Sequence, residues 1–140
     1  MAETIFSKII RGELPCHKVY EDDLVFAFLD IHPIAPGHTL VIPKEPARTF
    51  DELSEDSAAA LGRVLPKLCR AVKQATGIAA YNILQNNGSE AHQAVFHVHI
   101  HIIPKPSAEQ GLGVGWPSAP LATTEAERMR QAIVTAIGVE

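Results

Sequence analysis

Cysteine is scarce: Cys16 and Cys69 are the only two in 140 residues, and they form no CxxC. Two are too few for a disulfide framework, which points to a reducing compartment or to indifference to redox state, and the cytoplasm is the expected location. Charge of one sign is not in excess either. Twelve Lys and Arg against 16 Asp and Glu leave a formal net charge of -4. That balance argues against broad nucleic-acid or anionic-membrane binding, which rewards surplus Lys and Arg. A small anionic ligand stays open, because one local site can differ from the total. No stretch approaches the ~20 apolar residues of a membrane span. Met1 to Leu14 has no long apolar run and carries Glu3, Lys8 and Arg11, so it is not read as a secretory leader. With 46% hydrophobic and 20% charged residues, the chain reads as one soluble domain, 1–140, long enough to bury a core. Histidine is the odd count: seven in all, three of them within five residues.

Apolar residues at 5, 6, 9 and 10 have helical spacing, and Gly12 stops that run. Lys18 to Tyr20 and Leu24 to Leu29 read as strands joined by the polar turn Glu21-Asp22-Asp23. Asp30 to Gly37 holds Pro33, Pro36 and Gly37 and reads as a loop. His38 to Pro43 is a strand whose apolar run predicts burial on both faces. Leu53 to Thr76 is the longest helical pattern, with Leu61, Val64, Leu65, Leu68, Val72 and Ala75 on one face. Ser54 suits its start and Gly77 its end, while Pro66 predicts a kink. Ala79 to Leu84 is a strand, Asn86-Asn87-Gly88 a turn, and Val95 to Ile103 the last strand, ended by Pro104. Lys105 to Pro120 is an irregular, glycine- and proline-punctuated tail. Thr124 to Ile137 predicts a final helix with a capping box from Thr124 and Glu127. Short-linked consecutive strands pair antiparallel, so the fold class is α+β.

His97, His99 and His101 alternate with Val98, Ile100 and Ile102. Strand side chains alternate faces, so the imidazoles share one face and the aliphatics the other. The aliphatic face belongs to the core. The histidine face needs a cleft or polar partners, because unpaired polar rings are costly to bury. Three readings compete. One is a half-exposed strand that happens to be His-rich. The second is a metal site, but same-face neighbours lie about 6.6 Å apart along a strand. The nitrogens around one zinc lie only about 3.4 Å from one another, so three consecutive same-face histidines do not easily share an ion. The third is histidine chemistry on an anionic substrate. An imidazole whose N–H is held by a carbonyl has its other lone pair free to attack phosphorus. Its neighbours can then support the phosphoryl oxygens and the leaving group. Asn86-Asn87-Gly88-Ser89 is a polar turn able to face an anion, with Gln93 leading into the strand.

HVHIHII, His97 to Ile103, resembles the His-x-His-x-His-x-x signature of the histidine triad (HIT) superfamily. The blocks TIFSKIIRGELPCHKVYEDD, FAFLDIHPIAPGHTLVIPK and YNILQNNGSEAHQAVFHVHIHIIPK are similar to its Hint-like branch and to bacterial-type members. The resemblance runs from Thr4 to Lys105 and continues to Trp116-Pro117. It implies an antiparallel sheet of about five strands with two main helices, continuous across a homodimer, with residues 106–140 as a tail carrying a flap and a C-terminal helix. It implies a nucleotide hydrolase or transferase that cleaves purine nucleoside phosphoramidates or related conjugates through a nucleotidyl-histidine. Dinucleoside polyphosphate hydrolysis, or nucleotide binding for regulation, are the alternatives.

By matching positions, the resemblance makes His99 the nucleophile, His97 and His101 its supporting histidines, and His38 the fourth histidine that braces them. Asp30 matches the ribose-binding acid. Asn86, Gln93, Ala94 and Val95 match the contacts to the phosphate region and leaving group. Phe6, Ile9, Phe28 and Ile31 match the apolar slot for the base, though pattern alone would equally make them core. His17, His32 and His92 match no role and read as surface or second shell. No cofactor is implied. Many bacterial relatives carry Cys-x-x-Cys in the first helix and a histidine after VIPK, which with the first triad histidine can hold zinc. Thr4, Ser7 and Pro46 stand there in this chain, so no structural metal is expected. Ala94 stands where some relatives have a phosphate-binding serine, which leaves that task to backbone N–H groups and the histidines.

Overall fold

A reciprocal cap starts the chain's first helix. Thr4 Oγ1 accepts from the Phe6 and Ser7 N–H groups, and Ser7 Oγ accepts from Thr4 N–H at 3.1 Å. Helix α1 then spans Ile5–Ile10 and buries Phe6. This computed structural model describes residues 3–139. The ends of the expected 1–140 domain, residues 1, 2 and 140, lie outside the described residues.

Strands β1 (Lys18–Glu21), β2 (Val25–Leu29) and β3 (Thr39–Pro43) form an antiparallel meander. Asp22 makes the first turn, its Oδ1 accepting from the N–H groups of Leu24 and Val25 at 2.8 Å each. Helix α2, Glu55–Thr76, crosses the sheet and leads to β4 (Tyr81–Gln85). After a loop comes β5 (Ile100–Pro104), which inserts between β3 and β4. The order is β1-β2-β3-β5-β4, antiparallel throughout. Helix α3, Thr123–Ile137, ends the described chain and buries none of its residues.

Period-two alternation divides the sheet into two faces. Val25, Ala27, Val41, Ile100 and Ile102 face α2, packing on Ala60, Leu61, Val64, Leu68 and Cys69. The opposite face carries Phe26, Phe28, Leu40 and Ile42 under Phe6 of α1. Register sets Phe28 opposite Leu40, and Leu40 opposite His101. The triad therefore opens on the α1 side of the sheet. Strand β3 is buried along its whole length, as its apolar run predicts.

Two sequence expectations need correcting, the extent of the last strand and the cap of the last helix. The last strand is shorter than Val95–Ile103: only His101 of the triad lies in β5. Residues before Ile100 send their polar groups elsewhere. Val98 N–H donates to Ala47 O at 2.9 Å, and the His97 ring takes Pro43 O at 2.8 Å. Helix α2 continues as one element across Pro66, the position of the expected kink. The carbonyl that Pro66 leaves without a donor belongs to Gly62, and both residues are exposed, so water can satisfy it. Helix α3 starts at Thr123 with Ala122 as its N-cap and no side-chain cap bond. Thr124 already lies within the first turn and cannot cap it. Glu127 pairs instead with Arg130 at 2.6 Å. Ser54 and Gly77 do bound α2 as predicted. Ser54 Oγ accepts from Ser57 N–H at 3.1 Å, and Gly77 takes the left-handed conformation at φ 71. Among the described residues, no helix is long and apolar enough to cross a membrane.

Candidate active site

Helix α1, the loop after β2 and the approach to β5 line a cavity of about 440 Å3. Phe6, Phe28, Leu40 and Ile9 make its apolar floor and wall, and Asp30, His99 and His101 line it as well. Phe6 binds the floor together edge-on, with its ring centroid 5.5 Å from Phe28 and 5.1 Å from His99. Phe6 and Phe28 are thus both core and cavity wall. Ile31 is 71% exposed and belongs to the mouth, not the core. Ala94 and Val95 line the opposite lip.

The hydrogen bonds determine which nitrogen of each buried histidine carries a proton. A carbonyl oxygen only accepts, so His99 Nδ1–H donates to His97 O at 2.7 Å. In the neutral ring, Nε2 is then a lone pair at the cavity. His97 Nε2–H likewise donates to Pro43 O at 2.8 Å. His38 is oriented by a backbone donor: Ile34 N–H donates to His38 Nδ1 at 3.1 Å. His38 Nε2 must therefore hold the proton, which it donates to His101 Nδ1 at 2.9 Å. His101 in turn carries its own proton on Nε2. The rings of His99 and His101 lie 5.0 Å apart, so the cavity end presents one lone pair beside one N–H donor.

Burial keeps all four rings neutral. It lowers the pKa of His38, His97 and His99 below the ordinary imidazole value. His101 falls to about 4, first from burial and then from repulsion by His99 and His38, with Asp30 pulling weakly the other way. Asp30 is held beside this chain: its Oδ1 accepts from His32 N–H at 2.8 Å, and Oδ2 lies 3.5 Å from His38 Nε2.

Asp30, His38 and His101 offer three ligand atoms within 4.8 Å of one another. They do not suit a metal as arranged, because His38 Nε2 is the protonated nitrogen. The zinc position of the bacterial relatives is a poor fit too. The Thr4 and Ser7 hydroxyls are spent on the α1 cap, and Pro46 has no donor atom. His97 Nδ1 is left as the single buried side-chain nitrogen or oxygen without a partner among the described residues. His97 also lines a second cavity of about 300 Å3, shared with Ser7, Arg11 and Lys44.

The structure thus brings Phe6, Ile9, Phe28, Asp30, Ile31, Ala94, Val95, His99 and His101 to one cavity. His38 and His97 stand behind it and orient the two lining imidazoles. Gln93 is buried and spent on the backbone. Its Oε1 accepts from Gly88 N–H at 2.7 Å, and its Nε2 donates to Arg48 O at 2.7 Å and Val95 O at 3.1 Å. It shapes the loop rather than facing the cavity. Asn86 is half-buried beyond the lining. Sequence reasoning missed Ile5, Pro15, Cys16, Leu29, His32 and Leu40, which also line the cavity. Leu40 shares strand parity with Ile42, a usable signal; Pro15 and Cys16 arrive by tertiary packing, with no local signal.

The HIT domain profile matches residues 11–108. The chain is 52% identical over 133 residues to the adenosine 5'-monophosphoramidase hnt1 of Schizosaccharomyces pombe, covering 95% of this chain and 97% of that protein. A solved hypothetical protein from Leishmania major superposes with a TM-score of 0.91 at 47% identity, over 98% of this chain and 97% of that one. The solved histidine triad nucleotide-binding protein of Candida albicans gives 0.89 at 37% identity, over 97% and 98%.

Proposed function

The chain belongs to the HIT domain family, and on that premise we propose that it is a nucleotide hydrolase cleaving purine nucleoside 5'-phosphoramidates through a covalent nucleotidyl-His99. One observation carries this. His99 Nδ1–H is held by His97 O, which leaves the Nε2 lone pair at the end of an apolar slot. The relative named for adenosine 5'-monophosphoramidase activity supports the same substrate class.

The base enters between Phe6, Ile9, Phe28 and Leu40, where apolar contact replaces water. Asp30 keeps acceptor capacity for the ribose hydroxyls. His99 Nε2 bonds to phosphorus as the phosphorus–nitrogen bond breaks. The substrate nitrogen, protonated in its reactive form, departs as a neutral amine. His101 Nε2–H donates a hydrogen bond to the phosphoryl oxygens or the departing atom. Water then attacks phosphorus, restores neutral His99 and releases the nucleoside 5'-monophosphate and one proton. Backbone N–H groups around Ala94 and Val95 supply the anion contacts that Ala94 cannot. Gln93 holds that loop in place, and Asn86 flanks it.

Rapid quench with adenosine 5'-phosphoramidate, followed by peptide mass spectrometry, should show the nucleotidyl adduct on His99. Full turnover by His99→Ala would defeat the proposal.

We also infer a homodimer and a cytoplasmic location, with residues 4–105 as the core of a single domain. β4 is an edge strand with Tyr81 and Ile83 exposed, and α3 finds no cover within its own chain, features that suit a second copy. Two free thiols, Cys16 and Cys69, suit a reducing compartment. Light scattering that returned a compact monomer would contradict the dimer.

A further inference from the structure

His101 can serve the phosphoryl group as a donor only if its proton sits on Nε2. Of the other cavity residues, Asp30 favours this arrangement only at a distance, its Oδ2 lying 3.5 Å from His38 Nε2. The decision is made two residues away, in the turn between β2 and β3. Ile34 N–H donates to His38 Nδ1 at 3.1 Å, and His38 Nε2–H donates to His101 Nδ1 at 2.9 Å. Reverse either bond and the chain fails. Were His38 protonated on Nδ1, two N–H groups would face each other at Ile34. His38 Nε2 would then be a lone pair, and His101 would turn its own N–H toward it. The cavity would meet a bare His101 Nε2, lone pair against phosphoryl oxygen.

The turn is built to keep that amide in place. His38 N–H donates to Ala35 O at 3.0 Å, and Asp30 N–H to His38 O at 2.9 Å. Gly37, at φ +94, lies so close to α2 that a Cβ there would stand 2.6 Å from Thr76 Cγ2. Thr39 Oγ1 donates to Gly37 O at 2.9 Å. Helix α2 therefore backs the turn from behind while His38 occupies its hollow, only 2% exposed. The Ile34 side chain is 47% exposed and lines no part of the active-site cavity. What Ile34 contributes is its backbone hydrogen.

From this we infer that Ile34 is a positioning residue whose amide hydrogen sets the tautomers of His38 and His101, and so makes His101 a donor toward the substrate. The inference rests on the phosphoryl-transfer function proposed above and adds the origin of its donor. It needs no charged imidazole and no added cofactor, only the direction of two hydrogen bonds.

Nitrogen-15 NMR of the histidine rings tests it without substrate. In the wild-type protein near neutral pH, His38 and His101 should both show the Nε2–H tautomer. An Nδ1–H signal from either ring overturns the inference, and does so without touching the His99 adduct experiment. Ile34→Pro removes the amide hydrogen and Ile34→Ala keeps it. The alanine variant should retain both wild-type tautomers. The proline variant should lose them, and its kcat should fall below that of the alanine variant by about 10²-fold, the usual effect of removing one oxyanion donor, with KM changed far less. Equal kcat in a folded proline variant, or unchanged ring tautomers in it, would refute the role. If the proline variant does not fold, the wild-type ring spectrum alone still decides.

Discussion

Leu40 of β3 and His101 of β5 are register partners across the centre of the sheet. This pairing puts the last triad imidazole on the Phe28 face, beneath α1, and leaves Ile100 and Ile102 to pack on α2. A slip of one residue would exchange the two sets, burying imidazole in an aliphatic core and exposing isoleucine to substrate. The site thus depends on the same alternation that builds the core.

Stability should rise with pH between about 4 and 6.5 and stay flat above. His38, His97, His99 and His101 all have folded pKa values below the ordinary imidazole value, with His101 at about 4. In that window the unfolded chain binds more protons than the folded one, so lowering pH favours unfolding. The full contribution is present above the unfolded pKa and is lost as pH falls toward the folded one. Urea titrations at half-unit steps check this. A midpoint unchanged between pH 6.5 and 5 would show that the rings are not held neutral.

Gln93→Ala should cost stability as well as activity. Removing the amide leaves Gly88 N–H and the carbonyls of Arg48 and Val95 without their partner, at about 1–3 kcal/mol for each group that water cannot reach. Gln93→Glu should also destabilise, since a carboxylate cannot donate to the two carbonyls. Chemical denaturation reads both. A raised KM with unaltered stability would instead put the Gln93 side chain on the substrate.

Pro66→Ala should stabilise the protein by about 1–3 kcal/mol. The substitution returns one hydrogen bond within α2, removes ring crowding and swaps the poorest helix former for the best. Because Pro66 is exposed, no packing is lost. A lower melting temperature would mean that the ring makes a contact elsewhere, for instance with a second copy.

Elemental analysis of tag-free protein should find no stoichiometric zinc, and a chelator should leave the melting temperature where it was. Thr4 and Ser7 hydroxyls already serve the helix cap, and a single imidazole lone pair at His97 does not hold the ion. A full equivalent of zinc would overturn this and would provide the partner that His97 Nδ1 lacks.

Much of the site was legible because its chemistry is dense in one short segment. Three histidines at period two announce a shared face, and the blocks around them carry a family resemblance from Thr4 to Lys105. Asp30 and His38, by contrast, have the composition of an ordinary loop and strand start. The family resemblance alone marked them in the sequence, and the structure brings both beside His101. Gln93 matches a substrate contact by position, yet its amide is spent entirely within the protein. The last strand is shorter than its pattern because the hydrophobic alternation continues past the point where the backbone leaves the ladder. Alternation reports which way side chains point, and not which carbonyl receives each N–H.

Composition, hydrophobic period and turn residues sufficed for the α+β class, the two faces of each central strand, the bounds of α2 and the alternation of the triad, because each of these follows from neighbours within a few residues. Which strands meet, which segments close the cavity, and which ring nitrogen carries each proton were decided in three dimensions. A hydrogen bond such as His38 to His101 joins positions 63 residues apart. Its direction depends on an Ile34 amide that no local pattern distinguishes from any other.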